Sequence, residues 1–265
     1  QGTGISIFSI GGNVGFLLAP LLAVFLIEHF GLKGLGILLP VALLMSLLIL
    51  YQIRQIQIVS AVRKKNAVDE SSLPKNNWNA FFRLTLALIF RSIIMVCLRV
   101  FFPLYLIAYF EHSTSQAAFA LTIFGLSGIC GNILGGTFAD KFGYTFVIKF
   151  SFSIMVPLLF LFPYIQNIWI LYADLIGIAL LLYASYSPIV VLGQKYLARN
   201  IGFSSGITLG LSISIGGLFS PVLGWIADTF GLISVFYAFG AIGFLGAFFA
   251  FLLVPQPSRV EVSTE

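Results

Sequence analysis

Eight apolar runs follow one another along this chain of 265 residues, each near the length that crosses a bilayer. A lipid-spanning helix needs about 20 mostly apolar residues. The runs lie at about 4–28, 34–53, 82–109, 117–139, 145–164, 168–192, 204–227 and 232–254. The breaks are short and carry turn residues, as at Gly31–Gly34, Asp140–Gly143, Gln166-Asn167, Arg199–Gly202 and Gly231. This pattern predicts an all-α integral membrane protein with many passes. Composition agrees, with 59% hydrophobic and 9% charged residues, where a soluble domain carries about 25% charged.

One break differs. Residues 54–80 hold Arg54, Arg63, Lys64, Lys65, Asp69, Glu70, Pro74 and Lys75, and read as a polar linker between two bundles. Basic residues then set the orientation. Loops after the second, fourth, sixth and eighth runs hold eleven Lys and Arg with their flanks, and the other loops hold only Lys33. Cytoplasmic loops carry the excess of positive charge, so the even loops and the C-terminus are expected in the cytoplasm. The net charge of +5 therefore belongs to loops and not to a nucleic-acid-binding face. Cys97 and Cys130 both lie inside apolar runs, and His29 and His112 are the two histidines, so no metal site or disulfide framework is expected.

The chain also repeats itself. Ser9-Ile10-Gly11-Gly12 returns as Ser214-Ile215-Gly216-Gly217. Pro20 and Pro221 follow, then Glu28 and Asp228, then Phe30-Gly31-Leu32 and Phe230-Gly231-Leu232. The closing parts lie 200 residues apart and the opening parts 205. A repeat on this scale in an apolar chain marks a protein built from two related six-helix halves.

After the fourth run comes Gly135-Gly136-Thr137-Phe138-Ala139-Asp140-Lys141-Phe142-Gly143. This resembles the Gly-x-x-x-Asp-Arg/Lys-x-Gly loop signature of the major facilitator superfamily, which follows the second helix of each half. The resemblance implies that the eight runs are helices 5–12 of twelve. Residues 1–53 would then be the last two helices of the N-terminal bundle and residues 54–80 the central cytoplasmic loop. Residues 81–254 would be the C-terminal six-helix bundle and residues 255–265 a cytoplasmic tail. Four earlier helices are implied before Gln1. Phe8–Phe16, Leu88–Ser92, Gly193–Leu197 and Gly206–Ser212 resemble the fosmidomycin-resistance branch, whose members export drugs across the inner membrane. Ala19-Pro20 departs from the Gly-Pro usual in related antiporters.

Arg91 is the costliest residue in the chain. It lies about nine residues into the third run, near mid-membrane, where an arginine costs about 2.5–3.5 kcal/mol even on a permissive scale. It would either bind an anionic group bidentately or bond helix carbonyls as a structural residue. Tyr183 and Tyr186, with Pro188, would give the sixth run a polar, kinked wall for substrate, or would merely pack. Arg99 and Asp174 are estimated at similar depths. They would form an external gate, or Asp174 would carry a proton. Asp140 and Lys141 would act in the cytoplasmic gating loop. Gly12, Gly15, Pro20, Gly206, Gly210, Gly216, Gly217 and Pro221 are expected to serve helix packing.

These features lead to a secondary active exporter working by alternating access, with proton antiport. Its partners would be a small solute, anionic where Arg91 binds it, protons and the lipid bilayer of the inner (plasma) membrane, with no nucleic acid. No nucleotide-binding loop is present and no cofactor is implied. An enzyme would need clustered His, Asp, Glu or Cys at one depth, and the sequence offers none. A channel-like protein or non-transporting membrane subunit is the alternative.

Overall fold

A computed structural model describes residues 26–27, 29–65 and 74–254. Residues 1–25 and 28, which hold nearly all of the first run with Gly12, Gly15 and Pro20, and the tail at 255–265 lie outside the described residues. The chain divides into two compact units, one of residues 14–74 and one that includes everything from Lys75 onward.

In the smaller unit a 3-10 turn over Leu32–Ile37 leads into α1, Leu38–Lys65. The helix continues past Ile53, where the apolar run ends. Residues 54–65 contain no glycine or proline, so polarity changes there without a backbone reason to stop. Of the expected linker, only residues 74–77 are described as non-helical, and 66–73 lie outside the described residues.

The larger unit is a helical bundle. Its elements are α2 (Trp78–Phe110), α3 (Thr114–Phe142), α4 (Tyr144–Leu161), α5 (Ile168–Ala184), α6 (Tyr186–Tyr196), α7 (Ile201–Ser205), α8 (Ser212–Phe230) and α9 (Ile233–Phe251). Among the described residues, six helical stretches are long and apolar enough to cross a membrane: 78–110, 119–142, 144–164, 168–196, 201–230 and 233–251. Local chemistry sets their ends. Asn77 caps α2, its side chain accepting from the Ala80 amide at 3.0 Å. Ser113 and Gln116 form a reciprocal capping box at the start of α3. Gly143 turns the chain from α3 to α4 at φ +96°, a backbone position that side chains other than glycine's rarely adopt. Asn167 caps α5 by accepting from the Trp169 amide at 2.9 Å.

Two helices are interrupted. α5 and α6 are one span broken at Ser185, three residues before Pro188, which lacks the amide that would continue the ladder. The seventh run is also not uniform, because a π-helical turn over Gly206–Leu211 joins α7 to α8. Thr208 lies buried in that turn and its hydroxyl donates to the Ser204 carbonyl at 2.9 Å.

α3 lies along α5, α9 against α2 and α4, and α8 against α2. Between them sits an aromatic core in which Phe162 and Phe236 stack with centroids 4.6 Å apart. Large apolar side chains also cover the outside: Phe82, Phe138, Phe146, Phe244 and Phe248 are all exposed. An apolar exterior around an apolar core suits lipid as the solvent.

Candidate functional site

Arg91 lies thirteen residues into α2, roughly 20 Å from its start. Its side chain is wholly buried. The Nε donates to the Leu182 carbonyl at 2.7 Å and to Ser185 Oγ at 3.2 Å. The Ser185 hydroxyl in turn donates to the same carbonyl at 3.0 Å. Nη2 meets Met95 Sδ at 3.6 Å, and the guanidinium lies over the Tyr186 ring, 5.0 Å from its centroid. Nη1 is buried with no hydrogen-bond partner among the described residues. The arginine is therefore tied to the break between α5 and α6, with one nitrogen left over.

Arg99 follows two turns later. It bonds the Tyr183 hydroxyl and lies near the Phe124 and Tyr183 rings, at 5.6 and 5.9 Å from their centroids. Phe124 and Tyr183 themselves meet edge-on at 6.0 Å. Tyr183 is held from behind as well: a Cβ on Gly128 would come within 2.5 Å of its ring. The structure thus brings Arg91, Arg99, Tyr183 and Tyr186 together along one stretch of the α5–α6 span.

Asp174 does not join them. It is 6% exposed, and neither carboxylate oxygen has a hydrogen-bond partner among the described residues. The expected Arg99–Asp174 pair is not formed among the described residues. Arg99 instead reaches Tyr183, nine residues or roughly 13 Å further along α5. The reason is directional. Helical side chains lean toward their own helix N-terminus. Arg99 leans toward Trp78 and Asp174 toward Ile168, at opposite ends of the bundle, so matching backbone depths separate the two charged ends.

At the end of the bundle holding Gly143, Asp140 accepts from the Tyr144 hydroxyl at 2.7 Å. Lys195, from the end of α6, lies over the Tyr144 ring at 4.4 Å. Lys141 stays near its neighbour Phe142, 5.5 Å from the ring. The loop signature is thereby linked to α6 through Tyr144, a residue that sequence reasoning passed over.

The glycines sort differently from expectation. Gly216 is tight against Val96 and the Ser92 carbonyl. At Gly206, Gly210 and Gly217 a Cβ would meet nothing within 4 Å among the described residues. Gly217 and Pro221 line an open groove of about 580 Å³ between α2 and α8. Among the described glycines, Gly131 and Gly135 of α3 lie tightest against another helix, on the backbone of Leu180 and Ala184. A second groove of about 670 Å³ runs between α3 and α5, lined by His112, Gln116, Phe119, Trp169 and Tyr172. Arg91, Arg99 and Asp174 line neither groove. Sequence reasoning also missed Asn132, a wholly buried amide in α3. Its polarity inside an apolar run was the available signal.

Residues 1–221 match the family model described as Major Facilitator Superfamily. The chain is 31% identical over 234 residues to the fosmidomycin resistance protein of Escherichia coli (strain K12), covering 86% of this chain and 57% of that protein. It is 30% identical over 260 residues to the uncharacterised MFS-type transporter YfnC of Bacillus subtilis (strain 168), covering 96% of this chain and 63% of that one. The chain thus spans about three-fifths of the length of these relatives. Among solved structures, the outward conformation of FucP, a major facilitator superfamily transporter, aligns with a TM-score of 0.57 at 18% identity. That alignment covers 67% of this chain and 43% of FucP, and shows a shared fold.

Proposed function

The chain belongs to the major facilitator superfamily, and from that premise we propose that it serves a secondary active exporter that moves a small, oxyanion-bearing solute in exchange for protons. Alternating access of two six-helix bundles would carry the solute. On this reading residues 1–53 complete the N-terminal bundle, 54–80 form the central cytoplasmic loop, 81–254 are the C-terminal bundle and 255–265 the cytoplasmic tail. The division of the chain into units of 14–74 and 75 onward supports a boundary within that loop.

The observation that carries the proposal is Arg91. An arginine buried inside a membrane-spanning helix is costly, and such residues face a pathway or a partner. Its Nε is spent on Leu182 and Ser185, while Nη1 has no partner among the described residues. A phosphonate or carboxylate would satisfy that nitrogen with a charge-assisted bond. Tyr186 and Tyr183 supply the aromatic wall, and Arg99 a second cation. Asp140 and Lys141 act in gating at the cytoplasmic end, through Tyr144 and Lys195. Asp174 carries the proton rather than gating with Arg99, since its carboxylate is buried without a hydrogen-bond partner among the described residues.

Similarity to a protein named for fosmidomycin resistance supports fosmidomycin, a phosphonate, as the first probe. In cells exposed to it, Arg91→Lys should keep expression and lose resistance, because a point charge replaces a planar fork. Undiminished resistance in both Arg91→Lys and Arg91→Ala would remove Arg91 from the pathway.

A further inference from the structure

We infer that Asn132 is a second solute-contacting group, set at the level of Arg91 along α5; this rests on the reading of Arg91 given above. Asn132 is wholly buried in α3, and neither its amide oxygen nor its amide nitrogen has a hydrogen-bond partner among the described residues. A buried amide without partners is destabilising, because it has given up water for nothing.

Its level is fixed by its neighbours. Gly131 lies on the backbone of Leu180, and Gly135 on that of Ala184. Asn132, one residue after Gly131, is therefore level with Leu181, next to Leu182. The Leu182 carbonyl is the acceptor that holds Arg91 Nε. One turn of α5, just before the break at Ser185, is thus flanked by two helices that each bury an unsatisfied polar group. α2 brings a charged donor, Arg91 Nη1, and α3 brings an amide able to donate and accept.

Packing requires neither group. A valine at position 132 is much nearer to asparagine in volume than leucine is, and leaves nothing unsatisfied. The pair fits a solute with an oxyanion for Arg91 and a nearby hydroxyl, amide or similar group for Asn132. The amide selects among oxyanions by that second group, since an unpaired buried amide discriminates against a solute lacking it.

The test uses the full chain, purified in detergent, with thermal unfolding followed with and without fosmidomycin. Asn132→Val should raise the unfolding temperature of the free protein by about 2–4 °C. It should also weaken the fosmidomycin-dependent shift, with an apparent Kd about tenfold higher. Asn132→Ser, which keeps a small hydrogen-bonding group, should retain part of the shift. A lower unfolding temperature in Asn132→Val would make Asn132 a structural residue and overturn the inference. An unchanged Kd in Asn132→Val, alongside a weakened one in Arg91→Lys, would overturn it while leaving the Arg91 site standing. A wild-type chain that fosmidomycin does not stabilise would overturn the solute reading itself, and this inference with it.

Discussion

Arg91 Nε donates to the main-chain carbonyl of Leu182 at 2.7 Å, joining α2 to α5 within one turn of the break at Ser185. The contact gives a broken helix a cationic brace. Pro188 removes the amide that would have paired with the Ala184 carbonyl, and the chain turns there. Arg91 and the Ser185 hydroxyl converge on a carbonyl beside that turn. In the proposed function the two roles considered for Arg91, helix brace and solute contact, fall to different nitrogens of one guanidinium. Nε braces, and Nη1, which has no hydrogen-bond partner among the described residues, is the nitrogen the proposed function gives to a solute.

This division predicts separable stability effects. Arg91→Ala removes the donor to Leu182 and should destabilise the protein by about 1–3 kcal/mol. Arg91→Gln retains an amide donor and should recover part of that loss without recovering solute binding. Chemical unfolding of the wild type and both variants, paired with fosmidomycin-dependent stabilisation, would check it. Equal losses of stability in both variants would argue that the brace depends on charge alone.

Much of the fold was legible because it follows from lengths and breakers. Six of the runs reappear as spans, and the breaks at Gly143, Gln166-Asn167 and Gly231 fall between helices. The limits of legibility are equally physical. α1 runs to Lys65 because loss of hydropathy does not end a helix when the backbone has no breaker. Arg99 misses Asp174 because depth along a helix says nothing of the direction in which a long side chain leans. In the sequence Gly135 reads only as part of the loop signature and Gly131 is not singled out, because sequence shows small residues but not which face meets a neighbour.

The Arg99 geometry makes a coupling prediction. Arg99→Gln and Asp174→Asn should combine additively, within about 0.5 kcal/mol, since the Asp174 carboxylate bonds neither Arg99 nor Tyr183. Arg99→Gln and Tyr183→Phe should not, because each removes one end of the same hydrogen bond. Double-mutant cycles on unfolding free energy would distinguish the pairs. A coupling above about 1 kcal/mol between positions 99 and 174 would restore the external gate.

Topology gives a third prediction. Gln116 is exposed at the start of α3 and Asn200 follows the far end of α6. With basic loops inside, a membrane-impermeant thiol reagent applied to whole cells should label Gln116→Cys and spare Asn200→Cys. Cys97 is buried and Cys130 lies within the α3 span, so a background carrying both as Ser isolates the new thiols. Labelling at position 200 but not at 116 would invert the orientation.

The glycines give the last prediction, because the structure ranks them. A methyl group on Gly131 would meet the carbonyl and Cα of Leu180, and one on Gly135 those of Ala184. Backbone cannot rotate out of the way as a side chain can. Gly131→Ala and Gly135→Ala should therefore each force α3 away from α5 and cost about 1–3 kcal/mol. Gly217→Ala adds the same methyl group where nothing among the described residues lies within 4 Å, and should be neutral or slightly stabilising through helix propensity. Gly128→Ala falls between, since the ring of Tyr183 can shift; it should disturb the Arg99 contact more than overall stability. Replacing Tyr183 by leucine in the Gly128→Ala background should relieve the clash. Unfolding temperatures of these variants in one detergent would decide the order, and a Gly217→Ala loss as large as that of Gly131→Ala would show that the α3–α5 seam is not the close-packed one.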